Sequence, residues 1–322
     1  MTANTVLESK TEDCRLEESR TAPFHLPPSE AEPETLRLIL GVGRSGTTWV
    51  SRVLSKTRRR VRFFMEPLFH LEPRLPFHDT GDHTAVGYES FSPDHPLLSA
   101  YRRIASRHLG GSQVKGLERD DGAWELCLVK EVHALLGTEG LLRAWQTPAL
   151  FVLRDPVNVA DSLFAAQTLQ TIYLNHEVEA VQQEAFLDRF APGRQETVRQ
   201  LFAGAARREP REQIILAKVI CTQVLQEMFL ALAEEFPFVK TLCYEKLCEA
   251  PRETLKAASQ ALSIPWDQDI EEYLSKTMQA DATSNDPYSI MRNTAEQRMR
   301  PLKFLNPEET ALCRAALGAM RG

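Results

Sequence analysis

Glycine, cysteine, long apolar runs and excess positive charge are all scarce in this chain, and each shortage removes a class of protein. With 15 glycines and 19 prolines in 322 residues, a collagen-like or wholly disordered chain is excluded. The 43% hydrophobic share is enough to build a sizeable core. The six cysteines (Cys14, Cys127, Cys221, Cys243, Cys248 and Cys313) form no C-x-x-C pair and have no histidine cluster at zinc-ligand spacing. They read as reduced thiols of a reducing compartment rather than a disulfide scaffold. No apolar run is expected to reach the roughly 18 residues that a membrane span needs. The N-terminus lacks the charged-then-apolar order of a secretory signal. With 38 Lys and Arg against 44 Asp and Glu, the formal charge is -6, which argues against broad binding to nucleic acid or an anionic membrane. The expectation is a cytoplasmic protein with no nucleic-acid partner and no stable membrane insertion. A polyanionic small molecule bound in a local basic pocket stays open.

Residues 1–34 are polar, acidic and broken by Pro27, Pro28 and Pro33, and they read as a flexible leader ahead of a single domain over 35–322. At residue 36 the pattern changes. The continuous apolar run 36–43 ends in glycines, as a buried parallel strand does. Segments 59–66, 149–155 and 239–246 read as three more strands. Helical patterns begin at Thr47, follow the 149–155 strand, fill 212–236 before the last strand, and begin again at Pro251. The alternation predicts an α/β fold, a P-loop-like three-layer α/β/α domain around a central parallel sheet. The Gln-, Glu- and Arg-rich stretch 168–210 reads as a helical excursion over that domain.

The sharpest motif is Gly41-Val-Gly-Arg-Ser-Gly-Thr-Thr-Trp49, where a strand should end and a helix begin. Glycines let successive N–H groups curl toward one anion at a helix N-terminus, and the Thr47 and Thr48 hydroxyls can add donors. The spacing Gly41 to Gly46 fits the triphosphatase loop, but Thr47 stands where that loop carries lysine, and Arg44 is the basic residue instead. No acidic residue clearly ends a neighbouring strand to hold magnesium, so γ-phosphate chemistry is poorly supported. A glycine turn without chemistry is the plain alternative. A second strand-to-helix corner, Leu153-Arg-Asp-Pro-Val-Asn-Val-Ala-Asp-Ser162, puts Arg154 at the strand end and Ser162 about two helical turns later. Taken alone it could be a corner capped by Asp155 with Pro156 at the first helical position.

Together these segments resemble sulfotransferases that use 3′-phosphoadenosine-5′-phosphosulfate. The resemblance spans roughly 36–315. R-S-G-T-T-W (44–49) is similar to the family's 5′-phosphosulfate loop, and the Arg154 to Ser162 spacing to its 3′-phosphate site. F-F-M-E-P-L-F-H (63–70) resembles the F-x-x-E-P-L-x-H stretch of the carbohydrate branch, and 243–255 its R-Y-E-D-L-x-x-x-P-x-x-T-L, with Cys243 and Lys246 in place of the usual Arg and Asp. The late W-R-x-x-L element is blurred into residues 298–309. The resemblance implies a soluble, bacterial enzyme that moves a sulfonate to a hydroxyl of a small-molecule, carbohydrate or lipid-like acceptor, with no metal required. Glycan specificity is not carried over, because the carbohydrate branch is often anchored in the Golgi.

The resemblance assigns donor binding to Arg44, Ser45, Gly46, Thr47, Thr48, Trp49, Arg154 and Ser162; the late basic cluster of Arg292, Arg298, Arg300 and Lys303 reads either as a clamp on the 3′-phosphate or adenine, with Arg300 as the candidate, or equally as a solvated helix face. Glu66 is the expected base, its pKa raised by partial desolvation among Phe63, Phe64, Met65 and Pro67. Its alternative role is to orient Arg44 through an ion pair. His70 is the reserve catalytic candidate and His133 a weaker one. The family's V-K-x-x-R/H strand puts Lys130 near the donor, with a solvated strand end as its alternative, and Tyr88, Phe91 and Tyr101 are candidates for the acceptor pocket. The competing functions are a P-loop kinase or triphosphatase and a non-catalytic nucleotide-binding scaffold.

Overall fold

Five short strands carry the fold: β1 (Leu36–Leu40), β2 (Val61–Met65), β3 (Leu126–Glu131), β4 (Ala149–Leu153) and β5 (Val239–Cys243). They form one sheet in the order β2-β3-β1-β4-β5, and every pairing is parallel. The computed structural model describes residues 36–59, 61–66, 125–133, 135–165, 177–279 and 302–321, all inside one unit covering 31–322. The expected leader therefore lies outside the described residues.

Alternate strand residues point to opposite faces, and two separate cores collect them. On one face Leu36, Leu38 and Leu40 of β1, with Phe151 of β4, pack beneath α2 (Thr138–Trp145), α3 (Pro156–Ala165), α4 (Glu184–Phe190), α5 (Gln195–Ala205), α6 (Pro210–Glu235) and α10 (Pro307–Arg321). On the other, Ile39 and Val152 pack against α1 (Thr47–Leu54), α7 (Tyr244–Glu249), α8 (Pro251–Ala261) and α9 (Gln268–Gln279). The three-layer α/β/α expectation holds. The strands read from pattern fall where expected, each a few residues shorter. β3, the strand that the resemblance placed at Lys130 and that the apolar pattern alone did not show, lies between β1 and β2, with Leu38 opposite Val129 and Leu40 opposite Glu131. All six of its residues are buried, including Lys130 and Glu131. That charged end broke the apolar pattern by which the other strands were recognised.

The helix α6 corrects one expectation. It begins with Pro210 at its first position, runs 26 residues, and holds an 18-residue window of mean hydropathy 1.6. It is long and apolar enough to cross a membrane by composition. Here 72% of that window is buried inside the protein, because the helix contacts α3, α5, α10 and β5 and is apolar around most of its circumference. Phe229 of α6 stacks on Phe151 of β4 at 4.4 Å and is fully buried, fixing helix to sheet. The helix end is tied down by charge: Arg143 bridges Glu139 and Glu235 at 2.6 Å each, and Arg189 pairs with the same two carboxylates. Five of the cysteines are described, and all five are free.

Phe229→Ala should empty the space beside Phe151. The expected cost is about 3–5 kcal/mol of folding stability, read as a lower urea midpoint at unchanged slope.

Candidate active site

In a parallel sheet whose order reverses, ligands sit beyond the carboxyl ends of the strands at the reversal. Here that place lies between β1 and β4, and the Gly41–Trp49 corner occupies it. Ser45 donates its N–H to Val42 O at 3.1 Å, which closes the turn. Gly46 then adopts φ 100, the left-handed region that a side chain rarely takes, and serves as N-cap of α1. Among the described residues the N–H groups of Gly46, Thr47 and Thr48 find no backbone acceptor. They form the open donor set at the start of α1.

The side chains of the loop divide. Ser45 is fully buried, its Oγ without a hydrogen-bond partner, and a Cβ placed on Gly41 would meet that Oγ at 2.6 Å. Thr47 is 2% exposed. The Ser45 N–H and the Ser45 and Thr47 hydroxyls therefore face inward and support the loop, and the outward donors reduce to the three amides and half-buried Thr48. Trp49 also faces inward: it is 8% exposed and donates its indole N–H to Thr277 Oγ1 at 3.3 Å. Around Gly43 a Cβ would meet nothing within 4 Å, so the space beside the loop is clear.

Arg44, Arg154 and Ser162 do come together, although they lie on three different stretches of chain. Arg44 adopts φ 72 and donates Nε to Ser162 Oγ at 3.1 Å. Arg154 donates Nη1 to Arg44 O at 2.8 Å, while its buried Nε has no partner among the described residues. The strand end that carries Arg154 is itself held by Gln226 of α6, whose amide donates to Arg154 O at 2.5 Å. Asp155 caps α3 by accepting from the N–H groups of Val157 and Asn158 at 2.8 and 3.2 Å. The cap reading and the ligand reading of this corner are thus compatible, since Asp155 does the first and leaves Arg154 for the second. Among the described residues, a loop whose amides meet no backbone acceptor, flanked by the Arg44 and Arg154 guanidiniums, fits a phosphorylated ligand.

Glu66 ends β2 at φ 53 and meets Lys130 and His133 rather than Arg44. Lys130 Nζ pairs with Glu66 Oε1, and His133 Nε2 lies 3.5 Å from Oε2. The Lys130 side chain is 3% exposed, so the solvated strand-end alternative is removed. The expected upward pKa shift is corrected. Burial does push the Glu66 carboxyl up, but the His133 hydrogen bond and the Lys130 charge together outweigh it and bring the pKa to about 2. Glu131, at the end of β3 beside β1, is fully buried, and its Oε1 accepts from the N–H groups of Val132 and His133 at 2.8 and 2.9 Å. An acidic residue does end the strand next to the loop, which sequence pattern had not revealed. Its bonded oxygen is turned to its own chain, where it fixes the turn that presents His133.

His70, Arg300, Arg292, Arg298, Tyr88, Phe91 and Tyr101 lie outside the described residues. Lys303 is described and donates its backbone N–H to Asp161 Oδ2 at 3.3 Å, as do Phe304 and Leu305 to Oδ1 at 2.8 and 3.0 Å. Two site residues had escaped notice: Gln226, 72 positions from its partner, for which no sequence signal exists, and Tyr244, whose signal is its place directly after a strand end.

No family model matches the chain, and no curated protein matches its sequence. Among solved structures it is similar to a sulfotransferase from Alicyclobacillus acidocaldarius, 15% identical over 89% of this chain and 94% of that one, with a TM-score of 0.39. It is also similar to the sulfotransferase domain of the Synechococcus PCC 7002 olefin synthase, 13% identical over 91% and 96%, TM-score 0.41. A third is a sulfotransferase domain from the curacin biosynthetic pathway, 14% identical over 88% and 98%, TM-score 0.39.

Because the Glu66 pKa is depressed in the folded state, its ion pair stabilises the fold fully above its ordinary value of 4.5 and ceases to do so as pH falls toward about 2. The stability difference between the wild type and Glu66→Gln should therefore shrink across that window in acid denaturation. Lys130→Met should move the Glu66 titration upward, read by carboxyl NMR, since burial is then opposed by His133 alone.

Proposed function

We propose that this protein is a sulfotransferase that takes a sulfonate from 3′-phosphoadenosine-5′-phosphosulfate and gives it to a hydroxyl of a small-molecule, carbohydrate or lipid-like acceptor. The observation that carries the reading is the convergence of Arg44, Arg154 and Ser162 beside the open amides of Gly46, Thr47 and Thr48. Those amides and the Arg44 fork suit a 5′-phosphosulfate, and Arg154 with Ser162 suits the 3′-phosphate that marks this donor. The donor supplies a sulfur–oxygen bond that breaks as the acceptor oxygen bonds to sulfur. The electrons of that bond leave on the 5′-phosphate oxygen, and the hydroxyl proton goes to the enzyme.

The loop amides and Arg44 meet the charge that grows on the leaving phosphate. The proton goes to Glu66 at Oε2, the oxygen that faces His133, Oε1 being the one that faces Lys130. At a pKa of about 2, Glu66 is ionised but weakly basic. It gains basicity as the Lys130 ammonium turns toward the incoming anion, since that charge is among the causes holding its pKa down. His133 Nε2, 3.5 Å from Oε2, stands within reach of that proton. No residue in this scheme calls for a metal ion.

A phosphoryl-transfer reading has one observation in its favour, the buried Glu131 beside β1. Against it stand Thr47 in the lysine position and the inward hydrogen bonds of Glu131.

Calorimetric titration separates the two. Micromolar binding of 3′-phosphoadenosine-5′-phosphate with little binding of ATP and magnesium is expected. The reverse preference overturns the proposal, and binding of neither favours a scaffold. Glu66→Gln should abolish sulfonate transfer from the donor while affinity for 3′-phosphoadenosine-5′-phosphate stays within about threefold. Undiminished transfer would remove Glu66 from the base role.

A further inference from the structure

Two consecutive residues of α7 grip two consecutive residues of the β4–α3 corner. Tyr244 lies under the side chain of Arg154, whose guanidinium carbon is 4.6 Å from the ring centroid. Its neighbour Glu245 accepts the backbone N–H of Asp155 at 3.0 Å. The same Tyr244 ring presses on the phosphate loop: a Cβ placed on Gly46 would come within 2.4 Å of Cδ2 and 2.5 Å of Cε2. The ring is 8% exposed. It touches the loop glycine and the arginine at once, and nothing else among the described contacts of the Arg154 side chain fixes its guanidinium except the single bond to Arg44 O.

An arginine has many rotamers, and one that is to meet a second phosphate must be held before the ligand arrives or spend affinity on being ordered. Among the described residues Arg154 has no carboxylate partner that would hold it, and such a partner would compete with an anionic ligand. A tyrosine ring attracts the guanidinium through its π face without neutralising it. The rear-facing Glu245 carboxylate is spent on the Asp155 amide and, at Oε2, on the Cys243 thiol at 3.2 Å.

We propose that Tyr244, set in register by Glu245, is a positioning residue that holds Arg154 against the phosphate loop and thereby makes the site select nucleotides with a second phosphate over those with one. The inference rests on the donor reading above and adds to it a residue that sets selectivity without touching the reacting atoms. Gly46 joins the same device: its missing side chain is what lets the ring reach the loop.

The test compares adenosine 3′,5′-bisphosphate with adenosine 5′-monophosphate by calorimetry on the full chain. The wild type should prefer the bisphosphate; equal binding of the two overturns the donor reading itself, separately from the role of Tyr244. Tyr244→Leu should lower that preference by about tenfold, the scale of a cation–π contact shielded from water, while affinity for the monophosphate is kept, which also reports that the loop is folded. Tyr244→Phe, which retains the ring, should keep the preference. Arg154→Ala should reproduce the loss, and adding Tyr244→Leu to it should lower the preference no further. An unchanged preference in Tyr244→Leu, or an equal loss for both nucleotides, would overturn the proposal, the second because it makes Tyr244 a support of the whole loop.

Discussion

The free N–H groups at the start of α1 are the constraint to which the rest of the site answers. A helix begins with amides that its own carbonyls cannot reach, and here Gly46, Thr47 and Thr48 open the helix with no backbone acceptor among the described residues. The neighbouring amide, Ser45, is already spent on the turn. Such a corner is stable only when its geometry is imposed from outside, because Arg44 is held at a strained φ of 72. The imposition comes from the α7 and α9 face of the sheet and from the end of β4. Trp49 is tied to Thr277 of α9, Arg154 reaches back to Arg44 O, and the Tyr244 ring fills the space a side chain on Gly46 would need.

Charge is handled differently at the two edges of this site. Lys130 is buried and neutralised by Glu66, as an isolated ammonium at 3% exposure must be. Arg154 is half-buried and has aromatic and carbonyl partners but no carboxylate among the described residues. The difference is chemical: a carboxylate beside Arg154 would repel an anionic ligand, whereas the buried Lys130 ammonium needs one to offset its desolvation. Asp155 is adjacent in sequence yet directed away, toward the α3 amides and Arg314 at 2.6 Å.

The sheet was legible because its four pattern-read strands are mostly apolar, with at most one charged residue each, and end at glycine, charged or proline-bearing corners. β3 was not, since Lys130 and Glu131 are buried as charges and look from the sequence like a surface. The donor side of the site was legible because glycine spacing and a strand-to-helix corner are local features. What sequence could not supply was contact across the chain: Arg44 to Ser162 spans 118 positions, Glu66 to Lys130 spans 64, and Gln226 to Arg154 spans 72. The sign of the Glu66 shift failed for the same reason. Its apolar neighbours in sequence promised desolvation, which is present, but the opposing cations come from β3 and the turn after it.

Glu131 deserves the last step, because its position is the one a magnesium-holding acid would take beside a phosphate loop. Position alone does not make a metal ligand. A carboxylate that binds a hard cation needs its oxygens turned into the ligand space, whereas Glu131 Oε1 accepts two N–H groups of the turn that follows it. Those bonds are charge-assisted and buried, so releasing them would leave two amides to be satisfied anew. The turn they fix carries His133 to within ion-pair distance of Glu66. The acid at the end of β3 is therefore committed, through Oε1, to the turn that stands beside Glu66. The cations that stand beside the loop are Arg44 and Arg154, whose planar forks suit the oxygens of a phosphate or sulfonate.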